Sequence, residues 1–124
     1  MSEWKSDELA RLGRAEEVHI ASNRRDGALR NPVTIWAVPH GDALYVRSVK
    51  GRDSAWFRGT QDTREGRIRG GGVERDVTFE PADPDLEPEI DEAYRSKYRR
   101  YAGRILDSVL TAPAKSSTLK LLPR

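Results

Sequence analysis

The longest apolar stretches of the chain lie in its first half and predict a β-hairpin. Positions 32–38 (PVTIWAV) and 43–49 (ALYVRSV) are mostly apolar, and a turn sequence at 39–42 (PHGD) separates them. A strand that is apolar at consecutive positions, rather than at alternate ones, has both faces covered. We therefore expect a sandwich, or a small closed barrel with a helix packed outside.

Shorter patterns predict the other elements. Alternating or short apolar runs predict four more strands, at 18–22, 66–69, 73–79 and 118–122. Capping residues and periodic apolar positions predict helices at about 6–15, at 55–62, and from Pro88 to either Gly103 or Leu110. We interpret residues 1–124 as one domain, with an N-terminal helix (1–16), barrel strands with a short helix (17–80), and an acidic connector, late helix and last strand (81–124).

The charges are segregated along the chain although the net charge is only +2. A basic middle (47–75) precedes an acidic connector (79–93) and a basic late helix (94–104), and such segregation creates local fields. The absence of cysteine excludes disulfides and thiolate metal sites and fits a reducing cytosol. No signal sequence and no apolar run of the roughly 20 residues that a membrane helix needs are present, so we expect a cytoplasmic protein.

The junction after the second hairpin strand combines cations, a hydroxyl and the start of a helix. Arg47, Ser48, Lys50 and Arg52 lead into a helix N-terminus, where cations and free N–H groups suit a phosphate. Trp56 offers a flat face to an aromatic ring. These five residues are the candidate cofactor-binding set, for a phosphorylated aromatic ligand such as a flavin. By residue type alone, solvated arginines and a core tryptophan are the commoner outcome.

The late helix carries three tyrosines among basic residues. Tyr94, Tyr98 and Tyr101 could stack on nucleic-acid bases. They also share one helical face with Ile90 and Ile105, which is typical of a buried stripe. Given the low net charge, we favour a core or dimer contact over nucleic acid.

No set of side chains predicts a reaction by itself. His19 and His40 have no acids at metal-ligand spacing, and we expect no metal site. No nucleophile elbow and no Gly-rich nucleotide motif are present. If the protein is an enzyme, which the residues leave open, a cofactor would carry the chemistry.

Several segments resemble a bacterial family known only as a domain of unknown function, over almost the whole chain. They are 30–36 (RNPVTIW), 44–48 (LYVRS), 51–52 (GR), 55–58 (AWFR), 66–68 (GRI), 74–79 (ERDVTF), 93–98 (AYRSKY) and 118–124 (TLKLLPR). That family is similar to the FMN-binding split-barrel proteins, the pyridoxamine-phosphate oxidase-like group, and more distantly to the deazaflavin-dependent nitroreductases.

The resemblance implies a mainly β (α+β) fold, a small six-stranded antiparallel split β-barrel with flanking helices. It also implies a homodimer with FMN or a deazaflavin between subunits. In such proteins a strand arginine, a following hydroxyl and a cation before the next helix often hold the phosphate. Arg47, Ser48, Lys50 and Arg52 occupy comparable places, and Trp56 matches the aromatic residue that begins the helix.

We therefore expect a flavin- or deazaflavin-binding oxidoreductase-like protein. The alternative is a cofactor-free split-barrel binding or dimeric scaffold protein, and a less favoured one is nucleic-acid binding through the late helix. Fold analogy does not assign a reaction.

Overall fold

A computed structural model describes residues 3–124 of the chain. The strands are β1 (Val18–Ser22), β2 (Val33–Ile35), β3 (Ala37–His40), β4 (Ala43–Val46), β5 (Glu65–Gly70), β6 (Val73–Pro81) and β7 (Leu119–Pro123). The α-helices are α1 (Ser6–Arg14), α2 (Ala55–Thr63), α3 (Glu87–Lys97), α4 (Arg104–Asp107) and α5 (Ala112–Ser116). Short 3₁₀ turns lie at Gly51–Asp53, Pro84–Leu86 and Arg99–Tyr101. None of the helices in the described part is long and apolar enough to cross a membrane.

All strand pairs are antiparallel, and the sheet order is β2-β1-β5-β6-β7-β4-β3. The two edge strands, β2 and β3, are consecutive in sequence, and only Trp36 separates them. The sheet must therefore curve until its edges come together at this residue. This arrangement confirms the small antiparallel split barrel with flanking helices, but the sheet has seven strands and not the six that were expected.

The prediction of one continuous strand at 32–38 is wrong at its centre. Before Trp36 the chain pairs with β1, where Ile35 lies opposite Val18. After Trp36 it pairs with β4, where Ala37 lies opposite Val46. Because the chain changes its pairing partner at this position, one strand becomes two.

Helix α3 covers the outside of the barrel at the β3–β4 hairpin. Leu44 and Val46 belong to the interior core, whereas Tyr45 packs with Ile90 and Tyr94 of α3 in a second core. Every residue of β4 is buried, so the prediction that both of its faces are covered is confirmed. The same prediction is wrong for β2, which is only partly buried.

The stripe of the late helix is buried over only part of its predicted length. Tyr94 and Tyr98 are buried, which confirms the core interpretation and removes them from any base-stacking surface. Helix α3 ends at Lys97, and Gly103, with φ of +103°, redirects the chain before α4. The helical phase is lost there, so the prediction of a buried Ile105 is wrong: this residue is 58% exposed.

Candidate functional site

A cavity of about 690 Å³, the main cavity, lies where β2, the end of β4 and the start of α2 meet. Four of the five predicted site residues line it: Arg47, Ser48, Lys50 and Trp56. The rest of the wall is formed by Val33, Thr34, Ile35, Trp36, Val49, Asp53, Ser54, Ala55, Ile105, Ser108 and Val109. The structure thus brings most of the predicted set to one concave, largely apolar place, as small-molecule sites require.

Ser48 fixes the first turn of α2. Its hydroxyl donates to the Ser54 hydroxyl over 2.7 Å, and Ser54 caps the helix by accepting from the Phe57 N–H. The Ser48 N–H donates to the Ser117 hydroxyl over 2.8 Å. Ser48 is 1% exposed. Its hydroxyl thus lies buried at the wall of the main cavity and already has a structural partner in Ser54.

Arg47 is buried and linked to three other parts of the chain. Its Nη1 donates to Asp91 Oδ1 over 2.6 Å and to the Val109 carbonyl over 3.0 Å, and its Nε donates to Thr118 Oγ1 over 2.9 Å. Asp91 also pairs with Lys115 at 3.0 Å. The interpretation of Arg47 as a surface charge is therefore wrong. Its Nη2 is buried and has no hydrogen-bond partner among the described residues.

Lys50 and Arg52 lie on different sides of the chain segment that joins β4 to α2. Lys50 is exposed and lines the main cavity. Arg52 does not line it; its Nε donates to the Ser116 carbonyl over 3.0 Å, and its guanidinium lies 5.9 Å from the centre of the Phe57 ring. Arg52 instead lines a separate groove of about 410 Å³. The structure therefore does not bring Arg52 together with the other four predicted residues.

Two indoles line the main cavity, and sequence analysis placed only one of them in the site. Trp56 is partly buried at the start of α2. Trp36 lies at the break between β2 and β3 and stacks on Tyr98, with ring centres 3.9 Å apart and planes 5° from parallel. A tryptophan inside an apolar strand indicates core packing, so no sequence signal separates Trp36 from a core residue.

The rim of the main cavity carries exposed apolar side chains that sequence analysis also missed. Val49 is 53% exposed and Ile105 is 58% exposed, and both line the cavity. Val49 follows the buried end of the β4 segment, and Ile105 projects from α4. The rim thus offers apolar surface next to the ligand-sized space.

Burial perturbs the titratable groups behind Trp36. It raises the pKa of Tyr94 and of Tyr98 above the usual tyrosine value. It lowers the pKa of Lys97 to about 8, and the Lys97 ammonium donates to the Ala37 carbonyl over 2.6 Å. None of these three residues lines the main cavity, and no group of three His, Asp or Glu residues in the described range could hold a metal ion.

A family model described as "Uncharacterized protein conserved in bacteria (DUF2255)" matches residues 8–121. No curated protein matches the sequence. The family match covers nearly the whole chain and agrees with the resemblance found from the sequence segments.

Solved structures of similar fold share little sequence with this chain. HutZ, a heme storage protein from Vibrio cholerae, aligns with a TM-score of 0.64 and 11% identity, over 98% of this chain and 91% of that one. A protein named as a candidate pyridoxamine 5′-phosphate oxidase, from Listeria innocua, aligns with a TM-score of 0.62 and 12% identity, over 95% of this chain and 90% of that one. An F420-H2-dependent reductase aligns with a TM-score of 0.61 and 13% identity, over 86% of this chain and 93% of that one.

A further structure, a protein of unknown function from Agrobacterium tumefaciens, is longer than this chain. The two align with a TM-score of 0.62 and 11% identity, over 96% of this chain but only 53% of that one. At such identities these four likenesses show a shared fold, and activities do not follow from a fold.

Proposed function

We propose that this chain, which belongs to the DUF2255 family of bacterial proteins, binds a flavin or a deazaflavin in the main cavity as an oxidoreductase-like protein. The observation that carries the proposal is the joint position of Arg47, Lys50, Trp36 and Trp56 at one cavity of about 690 Å³. Cavities of this size accommodate ligands of cofactor dimensions. The reductase and oxidase names among the fold neighbours support the same ligand class.

The residues at the wall fit a phosphorylated aromatic group. Trp36 and Trp56 offer aromatic faces, and Val33 and Ile35 offer apolar contact to a ring system. The ammonium of Lys50 and the N–H groups of Ala55 and Trp56, which precede the capped Phe57 N–H at the start of α2, would hold the phosphate. The unpartnered Nη2 of Arg47 is one more donor on a residue of the wall.

When bound, a flavin supplies hydride or single-electron transfer chemistry. The protein's own residues would bind and orient it. Ser48 and Ser54 keep the start of α2 in place through their 2.7 Å hydrogen bond. Asp91 keeps the Arg47 guanidinium in place and balances its charge, so Lys50 is the cation at the wall without a carboxylate partner among the described residues.

A homodimer is part of this proposal. Val49 and Ile105 expose apolar surface on the rim of the main cavity. A second copy of the chain that covered this rim would bury both side chains and would exclude water from a bound ring. The cofactor would then lie close to both subunits.

A cofactor-free dimeric scaffold remains the second candidate, and one observation favours it. The Ser48 hydroxyl and most of the Arg47 guanidinium already have internal partners, which leaves Lys50 as the exposed cation of the wall. A barrel that had lost its ligand could keep these internal bonds unchanged.

Titrations with FMN, riboflavin and F420, followed by tryptophan fluorescence and visible absorption, test the proposal. We expect quenching of the indoles on binding, and roughly ten- to hundredfold weaker FMN binding in Lys50→Ala, because a charged contact contributes about 1.5–3 kcal/mol. Riboflavin, which has no phosphate, should bind Lys50→Ala as it binds the unchanged protein. Arg69→Ala is the matched control, since Arg69 is an exposed cation on β5 that does not line the main cavity. A folded protein that binds none of the three ligands would contradict the proposal.

A further inference from the structure

A second space of about 340 Å³ adjoins the main cavity. Val33, Ala55 and Trp56 line both spaces, so Trp56 stands at their boundary. The other residues of the second space are mainly polar or basic, and we call it the basic compartment: Ile20, Ser22, Arg24, Arg30, Asn31 and Thr60. No Asp or Glu is among the residues described as lining it.

Arg30 is held in a fixed position at the basic compartment. Its Nη1 donates to the Asn23 carbonyl over 2.8 Å, and its Nη2 pairs with Asp62 at 3.0 Å. Helix α2 lies close to β1 at this point: a Cβ added to Gly59 of α2 would lie only 2.6 Å from the Ser22 hydroxyl of β1. The guanidinium is thus pre-oriented beside α2, which lowers the entropic cost of using it to bind a ligand.

Arg24 supplies the second positive charge. Its backbone is fixed in a tight turn, in which its N–H donates to the Ala28 carbonyl over 2.7 Å and its carbonyl accepts from the Gly27 N–H over 2.9 Å. The Arg25–Asp62 pair, at 2.8 Å, ties the same turn to α2. Arg24 itself is exposed, and no described carboxylate forms an ion pair with it. The turn therefore presents an uncompensated cation at the edge of the basic compartment.

We propose that the basic compartment is an anion subsite, which binds the carboxylate or phosphate of a small aromatic molecule whose ring lies against Trp56. Arg24 supplies the unbalanced charge, and Arg30, whose charge Asp62 balances, supplies a positioned guanidinium. Asn31 and Ser22 supply further hydrogen-bonding groups, and the indole supplies the apolar contact. This subsite is separate from the phosphate position at Lys50, which does not line the basic compartment. It does not require that the main cavity hold a flavin. If a flavin does bind there, an aromatic anion is the substrate class that the subsite would place beside it.

Calorimetric titrations of the full chain with phenyl phosphate, benzoate and neutral benzyl alcohol test the subsite. We expect both anions to bind more tightly than benzyl alcohol, and we expect their affinity to fall with added salt because the contact is electrostatic. The comparison of phenyl phosphate with benzoate shows which anionic group the subsite prefers. Equal affinity for benzyl alcohol and the anions would overturn the proposal.

Variants locate the bound anion. Arg24→Ala should weaken phenyl phosphate binding about tenfold, which corresponds to the loss of one charged contact. Arg69→Ala, a change at an exposed arginine that lines neither the basic compartment nor the main cavity, should leave it unchanged. Arg24 is the chosen position because no described residue pairs with its side chain, so the fold does not depend on it. If Lys50→Ala weakens binding and Arg24→Ala does not, the anion lies at Lys50 and the proposal is wrong; unchanged binding in both variants would also overturn it.

Discussion

Asp91 Oδ1 accepts a 2.6 Å hydrogen bond from Arg47 Nη1, and this buried ion pair joins α3 to the end of β4. The Arg47 side chain is 0% exposed and that of Asp91 is 8% exposed. Water therefore screens the pair little, and either charge would be buried without compensation if the other were removed. A variant at Arg47 would disturb the fold as well as any bound ligand, which is why Lys50 is the better position at which to test binding.

Asp91→Ala should lower the free energy of unfolding by about 3–5 kcal/mol, because it leaves the Arg47 charge buried without its partner. The double change Arg47→Met with Asp91→Leu should recover much of this loss, since it removes both buried charges and keeps apolar volume. Lys115, which also loses Asp91 as its partner, has a side chain that is 28% exposed and stays in contact with water. Urea unfolding measures the free energy of unfolding of the single and of the double variant. Glu92→Ala is the control: Glu92 is an exposed neighbour on α3, and its loss should cost less than about 0.5 kcal/mol. Equal destabilisation by the single and double changes would contradict this account.

Ile105→Glu and Val49→Glu should each convert the proposed homodimer to a monomer. Both changes place a charge on the apolar rim of the main cavity, where a second subunit would have to bury it. Sedimentation velocity measures the oligomeric state. Leu29→Glu is the matched control, since Leu29 is an apolar side chain, 40% exposed, that does not line the main cavity. An unchanged dimer in both rim variants would exclude this rim as the interface.

Stability should rise with pH between about pH 8 and pH 10 because of Lys97. Burial lowers the pKa of Lys97 from 10.5 to about 8, so in this window the unfolded chain binds more protons than the native protein does. Raising the pH then favours the native state. The raised pKa values of Tyr94 and Tyr98 act in the opposite direction, but only near and above pH 10.

Urea unfolding of Lys97→Met at several pH values checks this prediction. The rise in stability between about pH 8 and pH 10 should disappear in this variant and should persist in Lys5→Met, a change at an exposed lysine. A rise that survives in Lys97→Met would assign the effect to another group.

Gly66→Ala should destabilise the barrel by about 1–3 kcal/mol, which is the usual cost of overpacking. Gly66 lies in β5, and an added Cβ would collide with the Ala21 carbonyl and would lie 2.8 Å from the Phe79 ring. Backbone and a buried ring cannot move away cheaply. Thermal or urea unfolding measures the loss, with exposed Ser96→Ala as the control. Wild-type stability in Gly66→Ala would show that β1 and β5 can separate without cost.

Most of the strands were predictable because their signals are local. The apolar runs, the Asp26-Gly27 turn and the Ser54 cap each need only a few neighbouring residues to be recognised. Four of the five predicted residues meet at the main cavity for the same reason, since a basic strand end followed by a helix cap and Trp56 forms one continuous segment.

The individual roles in the site depend on distant residues and could not be predicted. Arg47 is buried because it pairs with Asp91, which lies 44 positions away in sequence. Arg52 points away from the main cavity because it donates to the carbonyl of Ser116, which lies 64 positions away. Trp36 becomes a wall residue only because β1 and β4 divide the segment between them. Single-sequence patterns contain no information on such pairings.

The break at Trp36 would link the proposed ligand binding to the integrity of the barrel. Residues 33–36 of the cavity wall include the whole of β2, at one edge of the sheet, and Trp36, which leads directly into β3 at the other edge. A bound molecule would contact this segment, the end of β4 and the start of α2 simultaneously. Because such a ligand binds only the closed arrangement, we expect binding to raise the melting temperature and to slow hydrogen exchange in β2 and β3 more than in the β5–β6 hairpin.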